Sequence, residues 1–177
     1  ISCYMMVNHD EQITVYSQIA QKLGLTDKHG EVVCKPTSFI NKHTMDEPVD
    51  VAFIDEAHLL LTQGKQSYQG ENQLQDIIDR ARVTVVMFDE NQILTTEQYW
   101  EAQILNKFRN QAKGSKNYFE LKNQLRIRAA KEVTNWIDRF TKDNELTELP
   151  SNMGGYEIRI FDNPGDLETA LKKKASD

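Results

Sequence analysis

The sequence predicts an α/β fold, a three-layer α/β/α arrangement with a mostly parallel central sheet. Strand-like and helix-like segments alternate almost throughout, the pattern of consecutive βα units. Val49–Ile54 (VDVAFI) and Val83–Phe88 (VTVVMF) are nearly unbroken apolar runs, as expected of parallel strands covered on both faces. Both runs stop abruptly at polar residues, Asp55-Glu56 in one and Asp89-Glu90-Asn91-Gln92 in the other. In open α/β sheets ligands bind beyond the carboxyl ends of the strands. The two runs are therefore expected to be central, parallel neighbours presenting Asp55 and Gln92 on one rim.

Ser2–Val7 reads as a short buried strand. In the segment after it, Asp10–Leu23, Ile13, Tyr16, Ile19, Ala20 and Leu23 fall at helical spacing, and Gly24 closes the helix. Glu31–Cys34 is a second short strand and Thr37–Lys42 a turn of helix. After Val49–Ile54 come a short helix, Ala57–Thr62, and a longer one, Asn72–Arg82. Val83–Phe88 precedes a long helix over Thr96–Lys113, with Thr95 or Thr96 as its N-cap. Tyr118–Leu121 reads as a strand and Arg128–Lys142 as an amphipathic helix through Ala129, Val133, Trp136, Ile137 and Phe140. Pro150 and the Gly154-Gly155 pair mark residues 145–155 as a linker. One strand, Tyr156–Phe161, and one helix, Pro164–Lys174, follow it.

The composition is that of a globular protein, with 27% charged and 39% hydrophobic residues among 177. No apolar stretch approaches the roughly 20 residues of a membrane-spanning helix, and ISCYMMV is too short for a secretory signal. Two cysteines, Cys3 and Cys34, make neither a disulfide framework nor a zinc site. A cytoplasmic protein without a membrane partner is expected. The net charge of -6 counts modestly against nucleic acid as the sole partner, because free-standing nucleic-acid binders are usually basic.

Burying an unpaired carboxylate costs several kcal/mol, so an apolar strand has no structural use for Asp55-Glu56. Such a strand ending in Asp-Glu is the pattern of a Walker B site. There the aspartate holds Mg2+ through its water shell and the glutamate polarises the water that attacks the γ-phosphate. The alternative is that Asp55 and Glu56 cap the helix Ala57–Thr62. Gln92 taken alone reads equally as a turn residue, and Arg126 as half of a surface salt bridge. His9 reads as a loop histidine beside the N-cap candidate Asp10. A metal-dependent nuclease built on His9, Asp10, Asp55, Glu56 and His58 is a further reading, though these residues lack a recognisable nuclease spacing.

DVAFIDEAHLLL, VVMFDENQIL and LKNQLRIRA occur in the order and rough spacing of three superfamily-one helicase motifs. VNHDEQ, KPTSFIN and LLLTQGKQSYQGENQL are closer to one branch, and the chain resembles the schlafen-like group of DNA/RNA helicases, which includes many bacterial proteins. The resemblance covers essentially the whole chain. It implies a RecA-like P-loop NTPase motor that uses ATP and Mg2+ with DNA or RNA as partner. By the same resemblance Asp55 binds the metal, Glu56 is the catalytic base, and Gln92 senses the γ-phosphate with Asp89 beside it. Arg126 acts as an arginine finger, Asn8, His9 and Thr37 touch the nucleic-acid backbone, and His58 couples the two sites or packs behind Glu56.

The departure from the family that matters most is an absence. No G-x-x-x-x-G-K-[ST] phosphate loop occurs; Gly64-Lys65-Gln66 and Gly114-Ser115-Lys116 both fail the pattern. Residues 1–144 are accordingly expected to be a partial first motor domain without that loop, 145–155 a linker, and 156–177 the start of a second motor domain or an added edge unit. On this reading the chain is a piece of a longer nucleic-acid-dependent ATPase and binds ATP-Mg2+ weakly or not at all by itself. The competing reading is a non-catalytic α/β interaction or regulatory module that keeps the motor scaffold.

Overall fold

A computed structural model describes residues 1–26, 31–63, 68–92, 99–121 and 127–176. The chain divides into two compact units, Ile1–Tyr118 and Phe119–Asp177. The first unit is the expected α/β fold. Strands β1 (Cys3–Met6), β2 (Val33–Cys34), β3 (Val49–Ile54) and β4 (Ala81–Val86) form one sheet in the order β2-β1-β3-β4. All three pairings are parallel. Helices α1 (Asp10–Lys22), α2 (Pro36–Lys42), α3 (Gln73–Ile78) and α4 (Ala102–Gly114) alternate with the strands or follow them.

Side-chain alternation along the strands divides the core between the two faces. Met6, Ala52 and Ile54 point to the face where Phe39 of α2 and Leu74 and Ile77 of α3 complete the larger cluster. Val7 and Val33 meet Ala20, Ile13 and Tyr16 of α1 in the smaller one. Asp50 pins the amino ends of three strands. Its carboxylate accepts the Ser2 backbone N–H at 2.8 Å and Arg82 Nη1 at 3.2 Å, while its own N–H donates to Ser2 Oγ at 2.9 Å.

β3 and β4 are parallel neighbours, as expected, with Val51 opposite Val83 and Ile54 opposite Val86. β4 is not central, however. It is the outermost strand among the described residues, and Val83 is 53% exposed. An unbroken apolar run does not distinguish a strand paired on two sides from one paired on one side. The boundary before β4 also moves. Val49 N–H donates to Arg80 O and pairs opposite Ala81, so the ladder claims Ala81 and Arg82 and α3 ends at Ile78.

Tyr118–Leu121 and Tyr156–Phe161 are not strands. Their side chains favour β structure, but no neighbouring strand pairs with them among the described residues, and a strand exists only through its ladder. The proposed cap residues Thr95 and Thr96 lie outside the described residues. In the second unit the expected helix over Arg128–Lys142 is α5 (Lys131–Asp138), which widens into a π turn over Arg139–Asp143. Trp136 stacks on Phe140 across that transition at 5.7 Å, and its Nε1 donates to Thr147 O at 3.0 Å. Gly154 has φ +57°, and a Cβ there would lie 2.7 Å from Ala130 N, so only glycine fits against the start of α5. The unit ends in α6 (Pro164–Ser176), and the expected linker 145–155 lies within it.

The Asn72 side chain accepts the Gln75 N–H at 3.1 Å and so caps α3. Asn72→Ala should lower the unfolding free energy by about 1 kcal/mol in a urea titration. The Ser2 backbone N–H above all, with the Ser2 hydroxyl and Arg82 beside it, holds the Asp50 carboxyl below its ordinary range. A depressed carboxyl stabilises the fold above its unfolded value, about pH 4, and loses that contribution as pH falls through the depressed value. Asp50→Asn should therefore flatten this part of the acid limb in melts recorded from neutral pH down to about pH 2.

Candidate functional site

The carboxyl end of β3 is held from both sides beyond the strand itself. Asp55 N–H donates to Met6 O at 3.0 Å, Met87 N–H to Ile54 O at 3.0 Å, and Ala57 N–H to Met87 O at 2.8 Å. The chain then turns sharply into a 3-10 turn, Ala57–Leu59, and Glu56 makes the corner in the left-handed region at φ 51°, ψ 48°. For a residue with a Cβ this conformation costs about 1–2 kcal/mol. The Glu56 side chain makes no capping hydrogen bond to that turn. It lies instead 3.4 Å from His58 Nε2.

His58 is 2% exposed, and its Nδ1 accepts the Asp89 N–H at 3.4 Å. That bond places the neutral ring's proton on Nε2, facing the Glu56 carboxylate. The ring is walled edge-on by Phe88, which contacts Trp100, which contacts Phe108, at centroid separations of 6.1, 5.5 and 6.0 Å. The imidazole thus joins the end of β3 to the segment following β4.

Asp55 is engaged through both oxygens. Oδ1 accepts the Glu56 N–H at 3.0 Å and Oδ2 the Tyr16 hydroxyl, from α1, at 3.1 Å. Donation to Asp55, reinforced by the carboxylate's charge, raises the Tyr16 phenol above its ordinary pKa. Gln92 is exposed in the turn Glu90–Gln92, and its Nε2 donates to Asp89 Oδ2 at 2.7 Å. Arg109 of α4 neutralises Glu90 at 2.7 Å.

Thr37, at the start of α2, accepts the Nε2 of Gln73 at 2.9 Å. Gln73, 2% exposed, is paired to the loop after Glu56 as well. Its Oε1 accepts Leu61 N–H at 2.9 Å, and its own N–H donates to Leu61 O at 3.0 Å. Asn8 and His9 follow β1. Asn8 Nδ2 is buried with no hydrogen-bond partner among the described residues, and His9 is exposed. Asp10 is ion-paired with Lys35 at 2.7 Å, bringing the starts of α1 and α2 together.

Asp55, Glu56, His58, Asp89 and Gln92 are therefore linked along one rim, while Arg126 lies outside the described residues. Among the described residues no three of His, Cys, Asp and Glu gather where they could hold a metal ion. Tyr16, Gln73 and Trp100 were not foreseen as site residues. Tyr16 sits at a core-facing position of its helix and carries no separate sequence signal. A glutamine at the first position of a helix reads as solvated.

The family model for Schlafen group 3, DNA/RNA helicase domain, matches residues 1–177. The chain belongs to this family. It is 29% identical over 192 aligned residues to the uncharacterized protein YPL245W of Saccharomyces cerevisiae, covering 97% of this chain and 42% of the yeast protein. The schlafen-family chain thus spans less than half the length of that relative. No solved structure matches it. Among the described residues, no helix of this helicase-family domain is long and apolar enough to cross a membrane.

Glu56→Gly and Glu56→Ala both remove the contact with His58, so their difference isolates the backbone. Left-handed geometry penalises alanine by about 1–2 kcal/mol, while glycine's freer unfolded chain returns about 0.4–1 kcal/mol of that. Glu56→Gly should be the more stable of the two by about 0.5–1 kcal/mol in chemical denaturation, the reverse of the order at an ordinary position.

Proposed function

We propose that this chain forms the carboxylate-and-sensor side of a nucleic-acid-dependent ATPase within a longer polypeptide. Glu56 carries the reading. Its left-handed corner and its contact with a buried, tautomer-fixed histidine match a carboxylate positioned for chemistry better than a helix cap.

Asp55 is a single carboxylate at the rim, a donor set that fits Mg2+, which keeps several waters and takes its other oxygens from phosphate. Bound Mg2+ with ATP supplies the transferable phosphoryl group and neutralises its developing charge. Tyr16 orients Asp55. Glu56 accepts a proton from the attacking water, and His58 Nε2–H holds that carboxylate in place. Gln92, steadied by Asp89, orients the same water, and Arg126 provides positive charge to the γ-phosphate. Asn8, His9 and Thr37 face the backbone of single-stranded DNA or RNA, where polar groups position phosphates without reading sequence.

The test is steady-state ATP hydrolysis by the whole polypeptide with and without single-stranded nucleic acid. Glu56→Gln should lower turnover by about 10²–10⁴-fold with ATP binding nearly unchanged, because the amide keeps the size but accepts no proton. Arg126→Ala should lower turnover by about 10³-fold or more, and Arg128→Ala far less. Wild-type turnover in Glu56→Gln would return these carboxylates to a structural role and favour the non-catalytic interaction module.

A further inference from the structure

Gln73 stands apart from every role assigned above, yet with His58 it is one of the two buried polar residues among the described residues. It is 2% exposed and spends both ends of its amide on different elements. Nε2 goes to Thr37 Oγ1 at 2.9 Å, and Oε1 receives Leu61 N–H at 2.9 Å. Its backbone N–H returns to Leu61 O at 3.0 Å, so Leu61 is held through both its N–H and its C=O. Five residues before Leu61 lies Glu56, and the intervening chain is a 3-10 turn with Ala57 and Leu60 fully buried. A displacement at Leu61 therefore has little slack in which to dissipate before it reaches Glu56.

A glutamine is not required for packing here. A buried amide needs its partners because an unpaired one costs more than the bond returns, and a methionine would fill the same volume without that demand. The bonds that justify the amide run to Thr37 on one side and to the Glu56–Leu61 loop on the other.

We infer that Gln73 is a positioning residue that couples the end of the sheet at Thr37 to the carboxylate loop, so that nucleic acid bound at Thr37 sets the placement of Glu56. This rests on the proposed ATPase reading and adds to it the element that transmits the effector's presence. Gln73 touches neither nucleotide nor nucleic acid. Its signature is a change in coupling rather than in either binding event.

The experiment compares wild type, Gln73→Met and Gln73→Glu in the whole polypeptide. ATPase rates are measured with Mg2+, without nucleic acid and at saturating oligo(dT) or oligo(U), alongside oligonucleotide affinity and thermal midpoint. Gln73→Met should keep the basal rate and the oligonucleotide Kd within about threefold while cutting the stimulation by about tenfold or more. Gln73→Glu should retain most of the stimulation, because its carboxylate accepts Leu61 N–H and the Thr37 hydroxyl can donate to it. Equal losses of basal and stimulated rate in Gln73→Met, or unchanged stimulation, would overturn the coupling role while leaving the ATPase reading intact. Absence of any ATPase in wild type would overturn that reading, and the coupling with it. If Gln73→Met melts below the assay temperature, all three proteins are compared below its thermal midpoint. Retained stimulation in Gln73→Met there overturns the inference, and lost stimulation with unchanged basal rate and oligonucleotide Kd supports it.

Discussion

The parallel pairing of β3 on both its edges is the constraint from which the rest of the first unit follows. A strand held by β1 on one side and β4 on the other has no freedom to slip, because a one-residue shift would exchange its buried and exposed faces. The ladder also runs past the strand. Asp55 is bonded back to Met6, and Ala57 to Met87. The carboxylates thus lie on backbone fixed by two neighbours rather than on a free loop. That is the rigidity a site requires when small displacements of a reacting group cost large factors in rate.

On that backbone the polar groups form a connected set. His58 links Glu56 to the Asp89 amide, Gln92 leans on Asp89, Tyr16 on Asp55, and Gln73 ties Thr37 to Leu61. For its buried members, His58 and Gln73, the low-dielectric setting makes each such bond worth more than in water and each unmade one more costly. The strain at Glu56 belongs with this economy. A left-handed glutamate persists because Ala57, buried and bonded to Met87, and the pinned Asp55 over-determine the corner between them. Glycine would make the same turn at less conformational cost, but it would bring no carboxylate to the rim.

The α/β class, the parallel pairing of the two apolar runs and the rim at their ends were legible because hydrophobic runs and the polar residues that stop them are local signals. Asp55, Glu56 and Gln92 were legible as candidates for the same reason. The edge position of β4 was not, since Val83 and Val85 look the same whether one or two strands pair with theirs. Nor were the absent strands at Tyr118–Leu121 and Tyr156–Phe161, where β-favouring side chains have no partner strand among the described residues.

The sequence by itself determined the alternation of strands and helices, where apolar strands give way to polar ends, and the helicase-related family the chain belongs to. These depend on composition and order along the chain, and they survive without knowledge of contacts. Only the tertiary structure decided that Glu56 turns to His58 rather than capping a helix. It alone decided that Tyr16 closes on Asp55 from a helix 39 positions away, and that Gln73 joins the start of α2 to the loop after Glu56. Such contacts are decided by the packing of elements distant in sequence, where a single hydrogen bond leaves no periodicity to read.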